Sequence, residues 1–98
     1  MKVIAELSVT PIGVGLSLSK YIVECERILK NKKLTIQLHA EGTNIEGELD
    51  EVFEAIKSCI EAVHQLGAPR LMTNIKISSR TDKIEKMADK IQSVEKQL

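Results

Sequence analysis

The chain is 98 residues long, enough for one hydrophobic core and one domain. Its 14 Lys and Arg balance 14 Asp and Glu, leaving no field to draw in nucleic acid, an anionic membrane or a polyanionic substrate. One Tyr and one Phe give almost no ring surface for stacked bases, and no apolar stretch approaches membrane-spanning length.

Val3, Ala5, Leu7 and Val9 alternate with polar Glu6, Ser8 and Thr10, the period of a half-buried strand, which Pro11 is expected to end. Charge at Lys2 and Glu6 breaks this opening run too early for a signal peptide. After a turn from Pro11 to Leu16, Ser17 is the expected N-cap of an amphipathic helix with Leu18, Tyr21, Ile22, Cys25, Ile28 and Leu29 on one stripe. Asn31 to Lys33 closes it, and Leu34, Ile36, Leu38 and Ala40 then alternate with Thr35, Gln37 and His39 as a second strand.

Glu41 and Gly42 are the expected turn of a hairpin. Pairing Ala40 with Thr43 puts Leu38 on Ile45, His39 on Asn44, Gln37 on Glu46 and Thr35 on Glu48, so one face is apolar and the other polar. Asp50 is the expected cap of a second helix carrying Val52, Ala55, Ile56, Cys59, Ile60, Val63 and Leu66, stopped by Gly67 and Pro69. Leu71, Thr73, Ile75 and Ile77 form the inner face of a fourth strand. After a turn from Ser78 to Arg80, Ile84, Met87, Ile91, Val94 and Leu98 recur in steps of three and four along a last helix.

This order is α+β. Its first six elements make the ferredoxin-like βαββαβ unit, a four-stranded antiparallel sheet with two helices on one face, and an additional C-terminal helix follows. In that topology the first and third strands are central neighbours, so Glu6 and Ser8 stand beside Asn44 and Glu46 on the face the helices leave open. Carboxylates in mid-sheet cost free energy unless a cation, a hydrogen-bonding ligand or a basic partner receives them, which makes this face the candidate site. Cys25 and Cys59 lie among apolar residues with no Cys or His at a metal-site interval. They read as buried thiols of a reduced, cytoplasmic protein, and neither metal nor cofactor is expected.

As an acid and base pair, Glu6 and Glu46 lack a nucleophile with an orienting partner, and His39 is the only nearby imidazole, so binding rather than catalysis is expected. The plain alternative is a solvated face with cross-strand pairs such as Glu6 with Lys76 and Glu46 with Gln37. Gly13 and Gly15 precede a helix and offer amides to an anion, yet they lack the Lys of a Walker loop and dinucleotide spacing, and read as a turn. His64 reads as an exposed helical residue, and Phe53 as near the core. The apolar seam of the last helix exceeds what closure of the sheet needs: it either packs on its own sheet or, the favoured expectation of the two, docks on a neighbouring subunit.

The strand and loop Ala5-Glu6-Leu7-Ser8-Val9-Thr10-Pro11-Ile12-Gly13, the helix start Ser17-Leu18-Ser19-Lys20-Tyr21, the segment Gly42-Thr43-Asn44-Ile45-Glu46-Gly47-Glu48 and the helix Glu54-Ala55-Ile56-Lys57 resemble the small thiamine-binding domain family. The Gly-Thr-x-x-Glu-Gly element is the most specific of these, and the likeness spans nearly the whole chain. The resemblance implies a ferredoxin-like subunit that assembles into dimers and tetramers through its sheets and binds thiamine or its pyrimidine precursor, with Thr43, Asn44 and Glu46 as contacts.

An aminopyrimidine offers donor and acceptor edges that Asn44, Glu46 or Gln37 match, and a thiazolium cation favours nearby carboxylates. The leading expectation is therefore a non-enzymatic, cytoplasmic homo-oligomer holding thiamine or a related pyrimidine in a pocket formed by Glu6, Ser8, Gln37, His39, Thr43, Asn44 and Glu46. An allosteric regulatory module acting on a partner enzyme is the alternative. An acylphosphatase-like enzyme would need an Arg in the loop after the first strand, and Pro11 to Leu16 contains none.

Overall fold

The computed structural model, which describes Met1–Leu98, runs through β1 (Lys2–Ile12), α1 (Ser19–Lys30), β2 (Thr35–His39), β3 (Gly42–Glu48), α2 (Leu49–Gln65), β4 (Arg70–Ser79) and α3 (Met87–Glu95). The strands form one antiparallel sheet ordered β2-β3-β1-β4. This is the ferredoxin-like arrangement with β1 and β3 central, as the pattern of elements predicts. Val3, Ala5, Leu7 and Val9 of β1 and Ile45 of β3 are buried against Tyr21, Cys25 and Leu29 of α1 and Val52, Ala55, Ile56, Cys59 and Val63 of α2. Each large aliphatic side chain fully buried here stabilises the fold by about 1.5–3 kcal/mol.

β1 does not stop at Pro11. It continues to Ile12, with Pro11 buried and opposite Leu71, because β3 pairs with β1 only as far as Leu7 and Thr43. Beyond that point β1 has a single neighbour, so the N–H that proline lacks falls on an unpaired side. Gly13 and Gly15 then take φ of +85° and +93° and turn the chain. α1 begins at Ser19, with Leu18 rather than Ser17 at the N-cap and no side-chain cap.

The hairpin register also differs from expectation. Leu38 faces Thr43, Ile36 faces Ile45, Gln37 faces Asn44, Thr35 faces Glu46 and His39 faces Gly42, a shift of two residues that preserves every facing. The loop is Ala40 and Glu41, closed by the Glu41 amide donating to His39 Nδ1 at 3.3 Å. Gly42 belongs to the strand, because a Cβ there would stand 2.7 Å from the Leu7 carbonyl oxygen of β1. A glycine that signals a turn in the sequence thus marks a close approach of two backbones.

α2 starts one residue before the expected cap: Leu49 opens it, its amide donating to the Met1 carbonyl at 2.9 Å, and Asp50 and Glu51 occupy the first turn where the helix dipole favours them. Phe53 is 49% exposed, not near the core. His64 is exposed as expected, and its Nδ1 lies 2.9 Å from the Ala68 carbonyl, so that nitrogen carries the proton. Cys25 and Cys59 are free and buried; the hydrogen bond with Cys25, together with burial, pushes the Cys59 thiol up. No helix is long and apolar enough to cross a membrane.

Candidate functional site

The side chains of β1 and β3 that point away from α1 and α2 include Ile4, Glu6 and Ser8, and Asn44, Glu46 and Glu48. Glu6 stands directly between Asn44 of β3 and Lys76 of β4, while Glu46 stands opposite Ile4, so the two carboxylates share a face on a diagonal. Glu6 meets His39 at 3.3 Å, between Oε2 and Nε2. β2 is not adjacent to β1, and the contact exists because His39 faces Gly42: the imidazole lies across the missing side chain, its Cε1 3.5 Å from where a Cβ would be. One missing Cβ therefore admits both the Leu7 carbonyl and the His39 ring.

Gln37 accepts a hydrogen bond from the Asn44 amide at 2.9 Å. The expected pair of Gln37 with Glu46 is replaced by this one through the two-residue register shift. Glu46 is engaged elsewhere: its Oε1 accepts from the Met87 amide at 2.6 Å, at the first residue of α3. The Lys86 amide donates to Asp89 at 3.0 Å in the same turn, so two of the helix's orphan donors meet carboxylates, and the helix dipole strengthens both contacts.

The start of α3 is thus tied to the open face of its own sheet, one of the two placements the sequence left open. Met87 is buried, whereas Ile84, Ile91, Val94 and Leu98 of the same seam remain exposed. Between α3 and the sheet lies a cavity of about 240 Å³ bounded by Glu6, Asn44, Lys76, Ser78 and Lys90. It joins a carboxylate, an amide and two ammonium groups, a set that can read donor and acceptor edges of a small heterocycle.

Of the residues chosen from sequence, Glu6 and Asn44 line this cavity, Gln37 orients Asn44, and Glu46 holds its roof. Ser8 and His39 border a different cavity at the hairpin tip. Thr43 is a correction. It points to the helix side of the sheet, is buried, and donates its hydroxyl to Glu26 Oε2 at 2.8 Å, because its odd position puts it in line with Ile45 and not with Asn44. Tyr21 lies in the core and Phe53 on α2, so neither ring reaches the sheet-face cavity. Lys90 and Ser78 enter the site only through the docking of α3 and the register of β4, and no local pattern marks them. Glu26, a charged residue among others on α1, likewise carries no sequence signal for its bond to Thr43.

The fold and this face define a ferredoxin-like domain whose open sheet surface is polar and partly roofed by an added helix. The chain belongs to a family described as thiamine-binding protein, whose model matches residues 5–95. A UPF0045 protein of Synechocystis is 48% identical over 95 residues, covering 97% of this chain and 78% of its own length. A UPF0045 protein of Methanothermobacter thermautotrophicus is 38% identical over 96% of this chain and 97% of its own. A solved Methanocaldococcus jannaschii structure superposes with a TM-score of 0.91 at 34% identity, covering 96% of each chain. A Thermotoga maritima structure named for thiamine biosynthesis or salvage has a TM-score of 0.83 at 19% identity, covering 96% of this chain and 99% of its own, and shares the fold.

Proposed function

We propose that this chain is a non-catalytic, self-associating binding protein for a small heterocycle, thiamine or its hydroxymethylpyrimidine precursor, held on the open sheet face beneath α3. The observation that carries the reading is the cavity bringing Glu6 and Asn44 together with Lys76 and Lys90. Asn44, fixed by Gln37, matches a pyrimidine edge, and Glu6 supplies the negative charge a thiazolium favours. At about 240 Å³ the cavity lies below the ~300–1,000 Å³ of most small-molecule sites, and a second copy laid on the same face would complete its wall. The family description supports the ligand class. Storage, delivery or sensing in the cytoplasm is the corresponding role.

Native mass spectrometry of freshly purified protein is the direct experiment, since it reads subunit number and any retained small molecule together. Calorimetry with Glu6→Gln then tests the site: affinity for thiamine should fall about tenfold while affinity for the neutral pyrimidine changes little. Equal loss for both ligands would mean that the carboxylate does not read charge. The exposed stripe of Ile84, Ile91 and Val94 favours one second reading, a regulatory module that docks on an enzyme. Recovery of a specific enzyme whose association changes with thiamine would select it.

A further inference from the structure

Positive and negative charge balance over the chain, but not at the end of the molecule where β1, β2 and α3 begin. There a cavity of about 290 Å³ has Lys2, Lys32, Lys33 and Lys86 in its wall and Glu46 as its one carboxylate. Glu46 already accepts from the Met87 amide at 2.6 Å, and it forms an ion pair with none of these lysines. Lys32, Lys33 and Lys86 join no ion pair anywhere in the chain, and Lys2 reaches only Glu48, at 3.8 Å. Gly47 lets the connection from α1 to β2 lie against β3, because a Cβ there would stand 2.5 Å from Leu34 Cδ2 and 3.7 Å from the Lys33 carbonyl oxygen. Lys2 stands across from Glu48 in the sheet, and the bond from Glu46 to Met87 sets Lys86, the residue before it, at the cavity's edge. Ammonium groups gathered round one cavity repel one another, a cost that a bound anion removes.

We propose that this lysine pocket binds a phosphate dianion, free or as the phosphoryl end of a small ester, its oxygens accepting from Lys2, Lys32, Lys33 and Lys86. A phosphoryl group suits the set because it carries about two negative charges at neutral pH on three acceptor oxygens, whereas a carboxylate carries a single charge. Each lysine ammonium offers a compact charge with three rotatable donors. An ester also has a place for its carbon. Ile84, 76% exposed, borders both this cavity and a neighbouring one of about 870 Å³, and Lys2 is common to the two. In that neighbour Glu85 is met by Arg80 at 3.0 Å, Lys83 at 3.9 Å and Lys90 at 4.0 Å, so cations outnumber carboxylates there as well. The lysine pocket shares no residue with the cavity beneath α3, so the inference goes beyond the sheet-face reading.

The test titrates inorganic phosphate, phenyl phosphate and benzoate into the full chain at constant ionic strength near neutral pH and follows backbone amides by NMR. Both phosphates should saturate with shifts at Lys32, Lys33, Leu34, Gly47 and Lys86, and benzoate should bind at least about tenfold more weakly than phenyl phosphate. Tighter binding of phenyl phosphate than of inorganic phosphate assigns the pocket to an ester and equal affinity to the free ion, and both support the dianion site. Lys33→Gln combined with Lys86→Gln should weaken phosphate by at least about tenfold, while Lys57→Gln on α2, outside the pocket, should leave it unchanged. All three side chains are exposed, so the variants keep the fold. Shifts spread over the exposed lysines at large, an equal loss in Lys57→Gln, unchanged affinity in the double variant, or no saturable shift at tens of millimolar phosphate each overturns the proposal. Failure of thiamine binding beneath α3 would leave the phosphate shifts untouched.

Discussion

Gly42 is where a single atom decides most. A methyl group there would meet the Leu7 carbonyl at 2.7 Å and crowd the His39 ring at 3.5 Å, and the backbone carbonyl, being part of the β1 ladder, has no freedom to give way. Gly42→Ala should therefore destabilise the domain by about 1–3 kcal/mol, read as a lower denaturant midpoint with an unchanged slope. An unaltered midpoint would show that β1 and β3 separate easily. At the exposed turn after β4, the Arg80 guanidinium donates to Asp82 at 2.7 Å and holds its carboxyl down at about 2, against an ordinary value of 3.8. The folded chain binds that proton more weakly than the unfolded one, so the contribution of the bridge is complete above pH 3.8 and is lost as pH falls through about 2. Side-chain carboxyl NMR should find Asp82 titrating there, and Arg80→Gln should return it toward 3.8.

Among the elements, α3 is the one whose attachment can be named. Its contact with the sheet rests on buried Met87 and on the Met87 amide held by Glu46. Glu46→Gln keeps an acceptor but removes the charge that the helix N-terminus favours, a loss of about 0.5–1 kcal/mol. Hydrogen exchange at Met87 and Asp89 should then quicken severalfold while α1 and α2 keep their protection; uniform rates across α3 in both proteins would show that Glu46 does not anchor it. Glu46 was expected from sequence in the ligand pocket; in the fold it holds the start of α3, while Glu6 lines the cavity beneath that helix.

For the molecule as a whole, the open face is covered at one end only. α3 shields the region of Ile4, Ser78 and Asn44, whereas Thr10, Ile12 and Met72 toward the other end are exposed, with Met72 at 52%. An apolar surface of this kind on a chain of 98 residues suits association with a second copy. Met72→Lys should shift the sedimenting species toward the 10.9 kDa monomer with far-ultraviolet circular dichroism unchanged. Retention of the wild-type mass would place the association elsewhere.

Alternation along β1 and β3 and the apolar stripes of α1 and α2 made the strand order, the covered face and the core legible from residues alone, because side-chain direction follows from local backbone period, whereas Ile75 and Ile77 of β4, expected to face inward, are exposed. Even the misread hairpin register kept every facing, since the slip was an even number of residues. What the period cannot carry is a contact between distant segments. The docking of α3 on Glu46, the reach of His39 over Gly42 to Glu6 and the hydrogen bond of Glu26 with Thr43 join residues 41, 33 and 17 positions apart. Such pairings are set by which backbones approach closely once the core has closed, and that geometry exists only in the folded chain.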